Sequence, residues 1–132
     1  MRDVLPRKEV IGGQNVEGLP FSEAIKLGNL VFVSGMVGTD DTGRIVAGGI
    51  GPETRQTFLN IQRVLKEAGC SLDDIVKVSV VLSDPGDFDG YNRVYKEIFQ
   101  HAPPARVTTA GRLTIDAKLE ADVIAGVGAG LK

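Results

Sequence analysis

Two ionisable residues near the carboxyl end of the chain could act together on a small ligand. Arg106 follows a Pro-Pro-Ala run that cannot continue a helix, and Glu120 lies in the alternating stretch Leu119–Ala125. If both segments are strands of a hairpin centred near Leu113, Arg106 and Glu120 lie directly opposite each other. Their Cβ atoms would then be about 4.5–5.5 Å apart.

This predicted pair has two interpretations. A guanidinium and a carboxylate at that separation can form an ordinary ion pair on a solvated face, worth about 0.2–1 kcal/mol. Alternatively, Arg106 binds a substrate carboxylate through two hydrogen bonds while Glu120 handles a proton or a water molecule. Spacing alone favours the ion pair, because most exposed Arg–Glu pairs are no more than that.

Two apolar patterns predict the elements that would position this pair. Period-two or continuous apolar runs predict strands, and apolar residues at helical spacing predict helices. The strands are expected at Phe21–Lys26, Leu30–Ser34 and Ile75–Leu82, and the helices at Pro52–Ala68 and Phe88–Gln100. With the two strands around Arg106 and Glu120, the predicted order is β-β-α-β-α-β-β, which indicates a mixed sheet of the α+β class. Two helices cover one face of such a sheet, so the other face is expected to be covered by further subunits.

Three predictions concern the ends and faces of these elements. Residues 1–18 are expected to be loosely structured, with a short strand at Glu9–Ile11. The continuous apolar run Leu30–Ser34 predicts a central strand that is buried on both faces. The second helix is expected to pack against the core through Phe88, Tyr91, Tyr95, Ile98 and Phe99.

Composition excludes several classes of function. The 132 residues fit a single domain, and the net charge of -2 gives no basic footprint for binding nucleic acid. One Cys and one His, Cys70 and His101, cannot form a disulfide framework or a Cys/His metal cluster. Without an apolar signal region at residues 1–8 or a membrane-length apolar run, we expect a cytoplasmic protein with no membrane partner.

Polar or small residues at two element boundaries could border a site. Ser34-Gly35 ends the second strand, where a glycine allows close approach and a hydroxyl can donate or accept a hydrogen bond. An ordinary exit from strand to loop explains the same dipeptide, and the local sequence favours that interpretation. Asn92 lies at the border of the apolar face of the second helix.

Several segments, taken in order, resemble the RidA/YjgF family. The resemblance extends from about Pro20 to Ala125. It rests on Phe32-Val33-Ser34-Gly35, the Gln56–Gly69 helix, Asp87-Phe88…Tyr91-Asn92, Pro104-Ala105-Arg106 and Leu119-Glu120-Ala121-Asp122.

The resemblance implies a chorismate-mutase-like α+β fold and a barrel-like homotrimer with clefts between subunits. It also implies hydrolysis of reactive enamines and imines, of the 2-aminoacrylate or 2-iminobutyrate type, to a 2-keto acid and ammonia. No metal or organic cofactor is implied. By position, Arg106 would bind the substrate carboxylate and Glu120 would activate water. The remaining pocket residues would be Phe21, Ser34, Gly35, Asn92 and the backbone around Thr108.

Three positions depart from the family pattern. Phe21 stands where many active members have Tyr, which makes the pocket wall more apolar. Thr108 stands where Cys or Thr is usual, a mild change because the backbone is thought to act there. The segment Val107–Gly111 is one residue shorter than usual, which would shift side-chain parity unless a bulge absorbs it. That change weakens the expectation that Arg106 and Glu120 are strictly opposed.

Other functions remain open at this point. The substrate could be a larger imino acid of the 2-aminomuconate type, which would suit the apolar wall at Phe21. The protein could instead be a non-catalytic trimer that binds small carboxylate metabolites, or a chaperone-like partner. A ribonuclease, an activity also ascribed to family members, fits least well with the acidic balance of the chain.

Overall fold

The computed structural model describes residues 6–130, which form six strands and two helices. The strands are β1 (Glu9–Gln14), β2 (Ser22–Leu27), β3 (Leu30–Met36), β4 (Ile75–Leu82), β5 (Ala105–Ala110) and β6 (Leu119–Gly126). The helices are α1 (Ile50–Glu67) and α2 (Phe88–Ile98). The α+β fold class with two helices is therefore confirmed, with β1 added in front of the expected order.

All six strands lie in one sheet, in the order β1-β2-β3-β6-β4-β5. β1, β2 and β3 form antiparallel hairpins, and β6 pairs antiparallel with both β3 and β4. β5 is an edge strand that pairs parallel with β4, because α2 carries the chain back across the sheet between them. β5 and β6 are consecutive in the chain but do not touch, since β4 lies between them.

Both helices pack on the same face of the sheet, where the hydrophobic core forms. Alternate residues of the strands point to that face and are buried, including Val31, Val33, Val78, Val80, Ala121 and Val123. The helices contribute apolar side chains at helical spacing, including Phe58, Ile61, Leu65, Tyr91 and Tyr95. Each large apolar side chain buried in this way contributes about 1.5–3 kcal/mol to folding.

The other face of the sheet, which we call the open face, carries apolar side chains that the single chain leaves exposed. Leu30 and Phe32 of β3 are 44% and 38% exposed, and Val107 of β5 is 44% exposed. The prediction that β3 is buried on both faces is therefore wrong for one chain, because both helices lie on the opposite face. The prediction that two helices cover only one face is confirmed.

Two further predictions need correction. Residues 9–14 are not loose: they form β1, which extends the expected short strand and places Ile11 in the core at 8% exposure. Residues 1–5 of the same segment lie outside the described part of the chain. Phe88, which was expected on the core face of α2, is 43% exposed: it begins the helix, and its ring reaches the core only beside Tyr91, with the ring centres 6.3 Å apart.

Candidate functional site

Arg106 lies on the face of the sheet that α2 covers. It is the second residue of β5 and pairs with Val78, a fully buried residue of that face. Its Nη1 donates a hydrogen bond to Oδ1 of Asn92 at 2.8 Å. Its Cζ lies 4.7 Å from the centre of the Tyr95 ring and 5.1 Å from that of Tyr91. The guanidinium is thus held by an amide on one side and by aromatic rings on the other.

The spacing of α2 explains this platform. Tyr91 and Tyr95 are four residues apart, so they lie one above the other on the helix face that meets β5, with Asn92 at its border. In the described part of the chain, no carboxylate lies within 4 Å of Arg106, and Asn92 occupies one of its five donors. The arginine is oriented but keeps donors for a ligand carboxylate.

Thr108 continues the same edge strand beside this arginine. Its Oγ1 is 2.9 Å from the hydroxyl of Tyr91, which is a fully buried residue. Burial raises the pKa of Tyr91, against the opposing effects of the Thr108 hydrogen bond and of Arg106. The Gly111 N–H donates to the Leu82 carbonyl of β4, so strand alternation directs the Thr108 N–H away from β4, off the sheet edge. We call Arg106, Asn92, Tyr91, Tyr95 and Thr108 the Arg106 cluster.

Glu120 lies on the open face. It pairs with Val81 of β4, three residues beyond the partner of Arg106, and an odd separation along a strand reverses the face. The prediction that Arg106 and Glu120 oppose each other in a hairpin is therefore wrong. The same geometry removes the interpretation as an intramolecular ion pair, because a strand separates the two residues and they point to opposite faces.

Gly35 lies beneath the Glu120 carboxylate. A Cβ atom added at Gly35 would be 2.6 Å from Oε1 of Glu120, which is closer than real Cβ atoms approach. Ser34 donates its hydroxyl to the Ser22 carbonyl at 2.6 Å, which joins β3 to the start of β2. Among residues 6–130, no donor reaches the Glu120 carboxylate within hydrogen-bond distance. We call Glu120, Gly35 and Ser34 the Glu120 cluster.

Phe21 precedes β2 and is 41% exposed, next to the carbonyl that Ser34 binds. The structure therefore brings the sequence-derived residues together in two groups. Arg106, Asn92 and Thr108 form one group at the outer edge of β5. Phe21 is a chain neighbour of Ser22 and so belongs near the Glu120 cluster.

The shortened segment Val107–Gly111 introduces no irregularity into β5. Pairing between β4 and β5 is continuous from Ala105 to Ala110, without a bulge. Side-chain parity within the strand is therefore regular, and Arg106 and Thr108 share a face. Arg112 follows the strand and is exposed.

Two polar residues of α1 that the sequence analysis does not identify bind backbone groups close in sequence to Gly35 and Glu120. Asn60 donates through Nδ2 to the carbonyls of Val37 and Thr39, in the loop that follows Gly35. Glu53 is 4% exposed, and its Oε1 accepts the Lys118 N–H at 2.9 Å, two residues before Glu120. Asn60 could have been noticed as a polar residue beside the apolar stripe of α1. Glu53 gave no such signal, because a Glu in a first helical turn is ordinary.

The described residues contain no group of three or more His, Cys, Asp or Glu side chains that could hold a metal ion. Within the same part of the chain, neither helix has the length and apolar character needed to cross a membrane.

Comparisons with known proteins agree with this architecture. The family model described as Endoribonuclease L-PSP matches residues 16–127. A RutC family protein of Pyrococcus abyssi is 46% identical over 108 residues, which cover 80% of this chain and 85% of that protein. The 2-iminobutanoate/2-iminopropanoate deaminase of Mus musculus is 36% identical over 115 residues, 86% of this chain and 85% of that protein.

A crystal structure from Yersinia pestis, described as YyfA of the conserved Rid protein family, superposes with a TM-score of 0.85 at 35% identity. That alignment covers 92% of this chain and all of the other. The likeness therefore includes the whole sheet and both helices.

Proposed function

We propose, from the premise that this chain belongs to the YjgF/RidA family, that it hydrolyses small 2-imino acids to 2-keto acids and ammonia. The mammalian relatives are named for deamination of 2-iminobutanoate and 2-iminopropanoate. The observation that carries the proposal is the Arg106 cluster. It holds an arginine on two tyrosine rings and an asparagine, with no protein carboxylate within 4 Å among the described residues.

Arg106 is suited to the part of the substrate that does not react. A 2-imino acid and its 2-keto acid product both carry a carboxylate next to the reacting carbon. A guanidinium binds such a group through two parallel N–H···O bonds, and the outward Thr108 N–H offers a further donor at the same strand edge. This arrangement would place the C=N carbon beyond the edge of β5, outside the chain that binds the carboxylate.

Glu120 is suited to the reacting part but cannot act on that carbon within the same chain. It lies on the open face, whereas Arg106 lies on the helix-covered face. We infer that the Glu120 cluster of a second copy completes each site, in a homotrimer whose subunits cover one another's open faces. That face carries the exposed apolar side chains Leu30, Phe32 and Val107, and their burial against another subunit would favour assembly.

The proposed reaction needs one activated water molecule. Water adds its oxygen to the imine carbon while its proton passes to the Glu120 carboxylate, and the C=N electron pair moves to the nitrogen. Glu120 then returns the proton to the nitrogen of the tetrahedral intermediate. Glu120 then carries the hydroxyl proton of this carbinolamine to its nitrogen, so the C–N bond breaks with its electron pair on the leaving ammonia while the O–H electron pair forms the C=O bond of the keto acid. Positioning and proton transfer suffice for this step.

Phe21 supplies an apolar surface near the Glu120 cluster and lacks the hydroxyl of a tyrosine. This favours substrates with an apolar side chain at that point, and Phe21→Tyr is expected to change relative rates between small and large imino acids. A ribonuclease function is less favourable, because the net charge of -2 provides little attraction for phosphates.

Two substitutions test the proposal. Arg106→Ala should weaken binding of 2-oxobutanoate by about 2–5 kcal/mol, because a charge-assisted bidentate contact is lost. Arg106→Lys should rescue binding poorly, since an ammonium lacks the planar fork. Glu120→Gln should still bind 2-oxobutanoate but release ammonia from 2-iminobutanoate at a strongly reduced rate.

The measurements are calorimetry with 2-oxobutanoate and an ammonia-release assay on enzymatically generated 2-iminobutanoate. Arg93→Ala is the matched control, because Arg93 is exposed on the same helix and its side chain forms no hydrogen bond or ion pair with the Arg106 cluster among residues 6–130. Ammonia release by Glu120→Gln at the wild-type rate would refute the catalytic assignment. Unchanged binding by Arg106→Ala would refute the carboxylate site.

A further inference from the structure

A hydrogen bond between two hydroxyl groups joins α2 to the edge strand β5 beside Arg106. The hydroxyl of Tyr91 lies 2.9 Å from Oγ1 of Thr108. Tyr91 is fully buried, whereas Thr108 is half-buried and lies on the same face of β5 as Arg106. Thr108 is therefore held from the helix side and is the more open end of this hydrogen bond.

The direction of the hydrogen bond follows from the partners of Tyr91. Among residues 6–130, Thr108 is the one hydrogen-bond partner of the Tyr91 hydroxyl. The Cζ atom of Arg106 lies 5.1 Å from the centre of the Tyr91 ring, but a guanidinium has donors only. Burial raises the pKa of Tyr91, so the hydroxyl keeps its proton at neutral pH. Because a buried proton without an acceptor is costly, Tyr91 donates and Thr108 accepts.

Thr108 keeps its own proton when it accepts from Tyr91. A threonine hydroxyl has one donor and two acceptor positions, and Tyr91 occupies one acceptor position. In the described part of the chain, no other group binds this hydroxyl. The N–H of the same residue points off the edge of β5, and Arg106 begins about 6.6 Å earlier along the strand. The free hydroxyl proton, the N–H and the guanidinium thus belong to one short stretch of the strand edge.

We propose that the Thr108 hydroxyl donates a hydrogen bond to the carboxylate that Arg106 binds, and that Tyr91 is the positioning residue that keeps this proton available. The inference rests on the proposed function, because it takes the ligand of Arg106 to be a 2-imino or 2-keto acid. The proposed function uses only the backbone N–H of Thr108. The hydroxyl adds a side-chain donor, so the carboxylate receives hydrogen bonds from the guanidinium, the N–H and the O–H.

Calorimetry with 2-oxobutanoate tests the hydroxyl donor. Thr108→Val keeps the branched shape and the backbone N–H but removes the hydroxyl, so Kd should rise about tenfold, as for loss of a hydrogen bond to a charged group. Thr108→Ser restores a hydroxyl and should bind within about threefold of the wild type. Thr109→Val is the matched control, since Thr109 pairs with Val81 and points to the opposite face, and its Kd should be unchanged.

A double-mutant cycle tests whether Tyr91 acts through Thr108. Tyr91→Phe keeps the ring beside Arg106 and removes only its hydroxyl, so it should raise Kd about threefold when Thr108 is present. Added to Thr108→Val, the same change should raise Kd no further. Thermal melting separates affinity from stability: Thr108→Val should lower Tm, because the Tyr91 proton loses its acceptor, and the double variant should recover it. The double variant therefore keeps the binding test valid if Thr108→Val alone folds poorly.

Several results would overturn the inference. Wild-type affinity of Thr108→Val, or equal losses in Thr108→Val and Thr108→Ser, would refute the hydroxyl donor. A lower Tm for Tyr91→Phe with unchanged Kd, or losses of affinity that add in the double variant, would refute the positioning role. No binding of 2-oxobutanoate by the wild type would refute the donor together with the carboxylate site.

The outcome is separable from that of the proposed function. Absence of ammonia release from any imine, with weaker keto acid binding by Thr108→Val, would refute the deaminase and leave the hydroxyl donor supported. Ammonia release with equal keto acid affinity in Thr108→Val and the wild type would support the deaminase and refute the donor.

Discussion

The Arg106 cluster and the Glu120 cluster differ in how much of their environment one chain provides. Arg106 donates a hydrogen bond to Oδ1 of Asn92, and the centre of the Tyr95 ring lies 4.7 Å and that of the Tyr91 ring 5.1 Å from its Cζ. Glu120 has close contact with Gly35 but accepts no hydrogen bond from the described residues, and it lies on a face with exposed apolar neighbours. The folded single chain therefore provides partners for the Arg106 side chain but no hydrogen-bond donor for the Glu120 carboxylate.

This difference suggests that the two clusters have different functions, the Arg106 cluster in substrate binding and the Glu120 cluster in proton transfer. In the proposed function, the group that would bind an unreactive carboxylate is already positioned by Asn92 and the two tyrosine rings, which would lower the entropy cost of binding. The group proposed to handle the proton, Glu120, would gain its hydrogen-bond partners only when a second copy covers the open face. Exclusion of water from the reacting carbon would then depend on assembly rather than on the fold of one chain.

The strongest test of this difference mixes two variants that are each expected to be inactive. Arg106→Ala removes the proposed carboxylate site, and Glu120→Gln removes the proposed proton acceptor. If each site takes Arg106 from one copy and Glu120 from another, random mixed assemblies regain activity in about a quarter of their sites. Activity is measured as ammonia release after the two variants are co-expressed and purified together through different tags.

The double variant Arg106→Ala/Glu120→Gln, co-expressed with either single variant, is the control and should remain inactive. Failure of the two single variants to complement each other in confirmed mixed assemblies would contradict a site shared between copies. Light scattering that gives a monomer at micromolar concentration would contradict the assembly itself.

Gly35→Ala should have the next largest effect. The added Cβ would overlap Oε1 of Glu120 at 2.6 Å, so the carboxylate must move away from its position above β3. Turnover should fall at least about tenfold, because small misplacement of a catalytic group has large kinetic cost. Binding of 2-oxobutanoate should change little, because the Arg106 cluster lies on the other face.

Gly51→Ala is the matched control, since a Cβ there meets only Cγ2 of Val94 at an ordinary 3.8 Å. Gly35→Ala with wild-type kcat would indicate that the position of Glu120 is unimportant. Equal losses of keto acid binding and turnover would indicate a general disturbance instead of a local one.

The contrast between the two clusters also explains which parts of the molecule the sequence could predict. The alternation in β6 correctly predicts that Glu120 points to the other face of the sheet from Leu119 and Ala121. The spacing of α2 correctly predicts that Tyr91 and Tyr95 point toward the core. These are local periodicities of 2 and 3.6 residues, and they survive in any arrangement of the strands.

Strand order does not follow from such periodicities. Arg106 and Glu120 are close in sequence, and a hairpin was the simplest expectation. The crossover through α2 instead makes β5 parallel to β4, and β6 enters the sheet on the other side of β4. The aromatic platform does not follow from the sequence for a related reason. Helical spacing identifies Tyr91 and Tyr95 only as core residues, although a helix face that packs on an edge strand can also support a side chain of that strand.

The smallest predicted effect concerns Asp122, which shares the open face with Glu120 and pairs with Ser79 of β4. Asp122 is exposed in the single chain, but its partial desolvation by neighbouring residues still raises its pKa above 3.8 in the folded chain. The folded state therefore holds this proton more tightly than the unfolded state. The contribution of Asp122 to stability is fully present below pH 3.8 and is lost as the pH rises through its folded pKa.

Asp122→Asn removes this dependence, because an amide does not titrate. The variant should be slightly more stable than the wild type at pH 7, and the difference should vanish as the pH falls toward 3.8. Thermal melting of both proteins across that range measures it, with the exposed Asp41→Asn as control. If a second copy covers the open face, the difference should be larger in concentrated samples than in dilute ones, since Asp122 is then further desolvated. A difference that is independent of concentration would indicate that Asp122 faces solvent in the assembled protein as it does in the single chain.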